Sequence, residues 1–296
     1  MISRLKSMTR SIRSAGCLII GDEVLNGKIL DTNSFEFAKF CFNELSVPLK
    51  KTIVCGDDKQ DIIQSLEVLR KSDCDFIVTS GGIGSTHDDI TYDALSSAFQ
   101  LQCQLDSETV DKMHALREPY LSSLSKAQLG AFYRMATLPQ PSKDVSVSKL
   151  FTDQSLWVPI VGINEQVYIL PGVPQLFKKL LTSLGASVKD RVISEKFTRF
   201  FVKTTTGESS LAPYLSALQD QCNSKHGNGK IKLGSYPHMN WKINTISIIG
   251  DSSVSLEDLR IVVEEVLANI GENASEISVE EEEHMSTNDP QSMINV

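Results

Sequence analysis

The sequence predicts an α/β fold with a mostly parallel sheet covered by helices on both faces, followed by a small α+β subdomain. Three observations carry that reading. Short apolar runs alternate with amphipathic stretches through the first half, as in βαβ units. The apolar runs are continuous rather than alternating, as expected of strands buried on both faces. From about residue 195 the order changes to strand, helix, two strands and helix.

In chain order, Cys17–Ile20 is a buried-strand run that stops at Gly21. Phe35, Ala38, Phe42 and Leu45 follow at 3-4-3 spacing, one face of a helix closed by Pro48. Thr52–Cys55 is the next strand, and Ile62, Ile63, Leu66 and Leu69 mark the next helix. Phe76–Thr79 is a third strand, before a helix that starts near Thr91 and carries Tyr92, Leu95, Ala98 and Phe99. Residues 106–135 read as helical but weakly periodic. Residues 137–156, with Pro139 and Pro141, read as an irregular connection. Trp157–Val161 and Val167–Leu170 suggest a hairpin through Gly162–Asn164, and Leu176, Leu180 and Leu184 a helix returning to the sheet. Beyond this lie strand Phe197–Thr205, helix Ser209–Gln221, strands Ile231–Tyr236 and Lys242–Ile249, and helix Leu256–Ile270. The expected organisation is therefore a basic arm over 1–14, the main domain over 15–194, the subdomain over 195–270, and a disordered acidic tail over 271–296. The tail contains the Glu280–Glu283 run and few large apolar residues.

Composition narrows the function. Of 296 residues, 41% are hydrophobic and 22% charged, enough to bury a core. The net charge of −8 argues against a nucleic-acid binder, which needs an excess of Lys and Arg. The six cysteines form no CxxC pair, against a zinc site or a disulfide framework; Cys17 and Cys55 read as small core residues. No apolar stretch approaches the roughly 20 residues that span a bilayer. A cytoplasmic protein is expected. Arg4, Lys6, Arg10 and Arg13, without an acid in the first 14 residues, fit either a mitochondrial leader or a plain basic arm.

In open α/β sheets ligands bind beyond the carboxyl ends of the strands, so the residues just after each strand are informative. Gly21-Asp22-Glu23, Asn26-Gly27 and Asp31-Thr32-Asn33 come after the first strand. Gly56-Asp57-Asp58 comes after the second, and Ser80-Gly81-Gly82-Ile83-Gly84-Ser85-Thr86-His87-Asp88-Asp89 after the third. Pro171-Gly172-Val173-Pro174 comes after Leu170. The Gly81–Gly84 turn can present bare N–H groups to a phosphate, with the Thr91 helix offering its positive end. It is neither a P-loop nor a dinucleotide GxGxxG fingerprint. Singly, Asp88 and Asp89 would serve as helix caps, worth about 1 kcal/mol, and Asp22, Asp31 and Asp57 as turn formers. Together, carboxylates beside an anion-cradling turn would repel the anion unless a divalent cation intervened. His87, without a His or Cys partner at ligand spacing, reads as a polar loop residue.

At these residues the chain resembles a known family. GDEVLNGKILDTN (21–33), TSGGIGSTHDDIT (79–91), YILPGVPQLF (168–177) and GSYPHMNW (234–241) resemble the molybdopterin-binding-domain family of MoaB, MogA and CinA. Within it, the resemblance points to the N-terminal region of eukaryotic FAD synthases and their stand-alone fungal relatives. Ser85 departs from the proline that many relatives carry there, which leaves the backbone donors intact. The resemblance implies a three-layer MoaB-like fold with a small extra subdomain, assembled as a homo-oligomer. In MogA-type members the aspartates matching Asp57 and Asp89 serve metal-assisted adenylyl chemistry on molybdopterin. The CinA and FAD-synthase-like branch is associated with hydrolysis of nucleotide diphosphates. Nothing here resembles the PAPS-reductase-like domain of FAD synthases or the CinA amidase domain, so neither FAD synthesis nor nicotinamide-mononucleotide deamidation is expected.

The resulting expectation is a diphosphatase, dependent on magnesium, manganese or cobalt, that cleaves FAD to FMN and AMP, or cleaves a related dinucleotide such as ADP-ribose. Asp57, Asp88 and Asp89 would bind the metal, with Asp22 orienting water and Asp22, Asp57 and Asp89 forming the catalytic set. Gly21, Asn26, Gly27, Asn33, Ser80, Gly81, Gly82, Gly84, Thr86, Pro171, Gly172 and Pro174 would hold substrate. A binding module without turnover and a molybdopterin adenylyltransferase are the competing readings.

Overall fold

A computed structural model describes residues 10–193 and 197–287 and divides the chain into two units, 1–194 and 195–296. The first unit runs β1 (Ala15–Ile20), α1 (Asp22–Leu25), α2 (Asn33–Lys39), a π-helical turn (Phe40–Leu45), β2 (Leu49–Cys55), α3 (Lys59–Lys71), β3 (Phe76–Ser80) and α4 (Thr91–Ala98). It continues through β4 (Cys103–Leu105), α5 (Ser107–Leu121), α6 (Lys126–Phe132), β5 (Thr137–Pro139), β6 (Val147–Leu150), β7 (Ile160–Ile163), β8 (Val167–Leu170) and α7 (Pro174–Val188). The main sheet has the order β2-β1-β3-β8-β7-β6. Its first four strands are parallel; β7 and β6 are antiparallel additions.

Helices cover both faces because the buried strands are apolar on both. Ala15 pairs with Phe76, and the Phe76 ring lies 5.9 Å from that of Phe37 in α2. The next residue, Gly16, faces the opposite way, where a Cβ would meet the Leu69 side chain of α3 at 3.1 Å. So α2 and α3 occupy opposite faces. Their contacts with α7 and α4 respectively complete the two outer layers.

Several details differ from the sequence reading. The buried face of α2 and the following turn is Phe37, Phe40, Cys41 and Leu45, whereas Phe35 is 59% exposed. The π-helical turn resets the period there, so simple 3-4-3 counting selects the wrong stripe. Residues 137–156 are not wholly irregular: β5 pairs with β4, and β6 adds to the main sheet edge through β7. The hairpin turns at Asn164 and Glu165, both at positive φ, rather than at Gly162, which lies inside β7. Residues 1–9 of the predicted arm lie outside the described residues. Ile12, however, is fully buried and bridges Val192, so Arg10–Ser14 belongs to the fold. Its amide and carbonyl bond Arg191 and Ile193.

The second unit contains β9 (Thr198–Thr204), α8 (Glu208–His226), β10 (Ile231–His238), β11 (Ile243–Gly250), α9 (Leu256–Ile270), β12 (Ala274–Ile277) and α10 (Val279–Thr287). Its antiparallel sheet has the order β10-β11-β9-β12. Val202 joins the core shared with α8 and α9, and its neighbour Phe201 packs with Ile277 and Met285 on the other face. The segment expected to be a disordered tail therefore folds as far as residue 287. Two well-spaced apolar residues suffice, because β9 supplies both a free edge and an apolar surface for them. Residues 288–296 lie outside the described residues. Among the described residues, no helix is long and apolar enough to cross a membrane, and the six cysteines are free.

Met285→Ala should lower the stability of the second unit by about 2–3 kcal/mol in urea unfolding, the cost of emptying a buried methionine site. An unchanged midpoint would return this segment to a disordered tail.

Candidate functional site

The carboxyl ends of β1, β3 and β8 open onto a cleft of about 450 Å³. Its shape depends on Asn33, the first residue of α2, which is 6% exposed. Asn33 Nδ2 donates to Ser80 Oγ at the end of β3 and to the Gly172 carbonyl after β8, both at 2.8 Å. One amide thus ties together the loops following three strands. Asn33 is itself placed by Asp31, whose Oδ1 accepts from the backbone N–H groups of Asn33 and Ser34, both at 3.0 Å. Asn33 Oδ1 is buried without a protein partner.

The turn after β3 needs glycine for reasons of space. At Gly81 (φ +106°) a Cβ would lie 2.0 Å from the Ile20 carbonyl oxygen. At Gly82 (φ +63°) it would lie 2.3 Å from Thr91 Oγ1. Asp89 closes the turn: Oδ1 accepts the Gly84 N–H at 2.6 Å, and Oδ2 accepts the Thr86 N–H at 2.9 Å and its hydroxyl. The expected set of free amides therefore changes. Gly81 N–H is committed to Leu170 O and Gly84 N–H to Asp89. Among the described residues, it is Gly82, Ile83 and Ser85 whose N–H groups donate to no protein acceptor.

The helix facing the cleft also differs from expectation. Thr91 is fully buried, and its N–H and hydroxyl are spent on the Gly82 and Gly81 carbonyls. In its place α7 begins at the cleft. Val173, Pro174 and Leu176 line the wall, and the helix start has no side-chain cap, so its positive end is uncompensated.

The remaining predicted residues fall into two groups. Asn33, Ser80, Gly81, Gly82, Gly84, Asp89, Pro171, Gly172 and Pro174 line the cleft; Gly21, Asp22, Asn26, Gly27, Asp57, Thr86 and Asp88 do not. Asn26 and Gly27 form the exposed turn ending α1, with Asn26 Oδ1 accepting from Lys28 N–H at 3.0 Å. Gly21 bonds Cys55 O across the sheet. His87 is an exposed loop residue beside Asp88. Sequence reasoning placed Glu23 just after the first strand but gave it no role, although it lines the cleft, and it missed the walls Ile29, Leu30, Met135, Trp157 and Leu176. No local signal marked Met135 or Trp157, since each reaches the cleft through a connection whose path the sequence leaves open.

Nor is the proposed metal set assembled as expected. Among the described residues no three His, Cys, Asp or Glu side chains are grouped to hold a metal ion. Asp89 is occupied by its own turn, and Asp88 is an exposed residue on that turn. A pair is present, however: Asp22 N–H donates to Asp57 Oδ2 at 2.9 Å, and Asp57 N–H to Asp22 Oδ1 at 3.3 Å. Burial raises the Asp57 carboxyl above its usual 3.8, and the neighbouring charges of Glu23, Asp22 and Asp88 act in the same direction, against the Asp22 N–H, which lowers it. Asp88 is lowered instead, chiefly by hydrogen bonding to Thr86. One or two carboxylates, with water and phosphate oxygens, are what magnesium ordinarily uses. The Asp22–Asp57 pair, with Glu23 within electrostatic range, fits that demand, whereas the three-carboxylate cage does not exist.

Comparison with known proteins identifies the family and the fold. Residues 16–190 match the model of a family described as a probable molybdopterin binding domain. A probable FAD synthase of Caenorhabditis elegans is 30% identical over 270 residues, covering 86% of this chain and 50% of that protein. A CinA-like protein of Myxococcus xanthus is 35% identical over 164 residues, 55% of this chain and 37% of that one. The chain thus spans about half the length, or less, of these relatives. Among solved structures, CinA of Thermoplasma acidophilum superimposes with a TM-score of 0.50 at 22% identity, over 60% of this chain and 98% of that one. The match supports the α/β fold of the first unit.

Asn33→Ala should cost about 2–4 kcal/mol, since it removes two hydrogen bonds and leaves buried partners unpaired. Asn33→Asp should cost at least as much at pH 7, by turning a carboxylate toward the Gly172 carbonyl, and should recover part of that loss on acidification. Asp57 gives a second test. A carboxyl whose folded pKa is raised binds its proton more tightly when folded, so it loses stability as pH rises from 3.8 through the raised value. Asp57→Asn should therefore be more stable than wild type at pH 7 and indistinguishable from it below 3.8. A constant difference across pH would mean that Asp57 is not perturbed.

Proposed function

The chain belongs to the molybdopterin-binding-domain family, and from that premise we propose that it is a divalent-cation-dependent diphosphatase that cleaves FAD or a closely related dinucleotide. The observation that carries the reading is the charge pattern of the cleft. Its lining contains Glu23, Asp31 and Asp89 but no Lys, Arg or His among the described residues. It also offers the unpaired amides of Gly82 and Ile83 and the uncapped start of α7. Such a surface attracts an anion by its dipoles and repels it by its carboxylates. A diphosphate carrying its own cation satisfies both. The names of the nematode relatives, which contain FAD synthase, support FAD as the ligand.

In this reading the free amides and the α7 terminus orient the phosphate oxygens. The Asn33 bridge keeps the Gly172 loop against the Gly81 turn, closing one wall. Asp57 and Asp22, which adjoin the cleft through Glu23, would hold the cation, with Glu23 contributing charge. When bound, a divalent cation lowers the pKa of water and offsets charge at phosphorus. Asp22 orients the water that attacks one phosphorus; the bond to the bridging oxygen breaks, giving FMN and AMP and releasing protons to solvent. Asp89 acts by latching the amide turn rather than as a cation ligand.

A binding module without turnover is the second reading, favoured by the engagement of both Asp89 carboxylate oxygens within its own loop. Incubation with FAD, ADP-ribose, NAD or CoA and magnesium, manganese or cobalt, followed by chromatography, separates the two. FMN and AMP should accumulate from FAD, stop with a chelator and resume on adding cation. Asp57→Ala should lower kcat by roughly 10²-fold or more. Asp89→Ala should mainly raise KM through a loosened turn. Tight FAD binding without products under every metal would leave only the binding module.

A further inference from the structure

The cleft has two chemically distinct parts. One contains the glycine turn, Asn33 and the start of α7. The other is a wall of Ile29, Leu30, Met135, Trp157 and Leu176, contributed by the loop before α2, the segments around α6 and β7, and α7. Leu30 is 63% and Ile29 49% exposed, and with the other wall residues they form a contiguous apolar surface. Trp157 does not stand alone. Its ring lies 5.5 Å from Phe132, which in turn meets Tyr120 edge-on at 5.7 Å. This aromatic series braces the indole at the cleft. Met135, an adaptable and polarisable side chain, lies on the same wall. Apart from the indole N–H, the wall has nothing with which to hydrogen-bond a sugar or a phosphate.

We propose that this wall is a subsite for a flat, uncharged heteroaromatic ring, with Trp157 as its specificity-determining residue. The ligand class is then a nucleotide whose phosphates meet the free amides of Gly82 and Ile83 while its ring packs against Trp157 and Met135. Aromatic pairs gain beyond the area they bury, and the wall excludes the water that would compete. The inference rests on the diphosphatase reading only for the phosphate end. It deepens that reading by naming the ring end of the substrate: a nucleotide whose ring fills the wall exceeds pyrophosphate, which has no ring.

Trp157 and Trp241 are the only tryptophans, so Trp241→Phe leaves Trp157 as the reporter. Riboflavin and adenosine each supply a ring without phosphate; magnesium pyrophosphate supplies phosphate without a ring. In the Trp241→Phe protein, at least one ring compound should quench emission saturably, and pyrophosphate should not. In otherwise wild-type protein, Trp157→Ala should weaken FAD by roughly tenfold or more and leave inhibition by pyrophosphate unchanged. Leu30→Asp, at an exposed position outside the core, should do the same if Trp157→Ala proves unstable. The subsite is overturned if neither ring compound alters the emission, or if both variants keep wild-type affinity for FAD. Ring binding by a protein that cleaves no dinucleotide would sink the diphosphatase proposal and leave the subsite intact. FAD cleavage indifferent to both variants would do the reverse.

Discussion

The buried carboxamide of Asn33 is the contact through which the site holds together. A parallel sheet delivers loops to one edge but does nothing to join them, because each strand's hydrogen bonds end where its loop begins. Asn33 supplies the missing connection, with both protons of a single NH2 group bridging Ser80 and Gly172. The residue must be small enough for the start of α2 and must donate twice. Aspartate cannot donate when ionised, and glutamine would carry the group a carbon too far. The absence of side chains at Gly81 and Gly172 completes the arrangement, for a Cβ at Gly172 would come within 3.1 Å of Gly81 Cα.

Electrostatics then defines what the cleft can accept. Its anion-attracting groups are backbone dipoles, whereas its side-chain charges are negative. In the proposed reading that division separates positioning from charge balance: the dipoles would orient phosphate oxygens without adding net charge, and a mobile cation would supply the compensation. Beside the cleft, burial first and the charges of Glu23, Asp22 and Asp88 second raise the Asp57 carboxyl. Asp89, which lines the cleft, is held by three donors from its own turn. The second unit is a separate antiparallel assembly, with its own core and a final helix covering the other face of its sheet.

Much of this was legible in the chain. The four parallel strands appear as apolar runs, and Gly81, Gly82 and Gly172 lie just past strand ends where the close approach of loops requires them. Asn33 stands in the DTN stretch singled out beside the first strand. Errors arose where a periodic rule met an irregularity. The counted stripe began at Phe35, whereas α2 buries Phe37, and the π-helical turn then buries Phe40 and Cys41 in place of Phe42. At the chain's end, β9 offered Ile277 and Met285 a surface that composition alone could not reveal.

By itself the sequence determined the α/β class, the strands, the glycine turn and the acidic character of the loops, because periodicity, chain reversal and charge are local properties. Tertiary structure alone decided which amides remain free, which helix end faces the cleft and which carboxylates pair. It also brought Trp157 and Met135 to a wall opposite residues far away in the chain. These outcomes depend on competition among donors and acceptors from separate segments, and on the path of the connection through α5 and α6, neither of which spacing along the chain encodes.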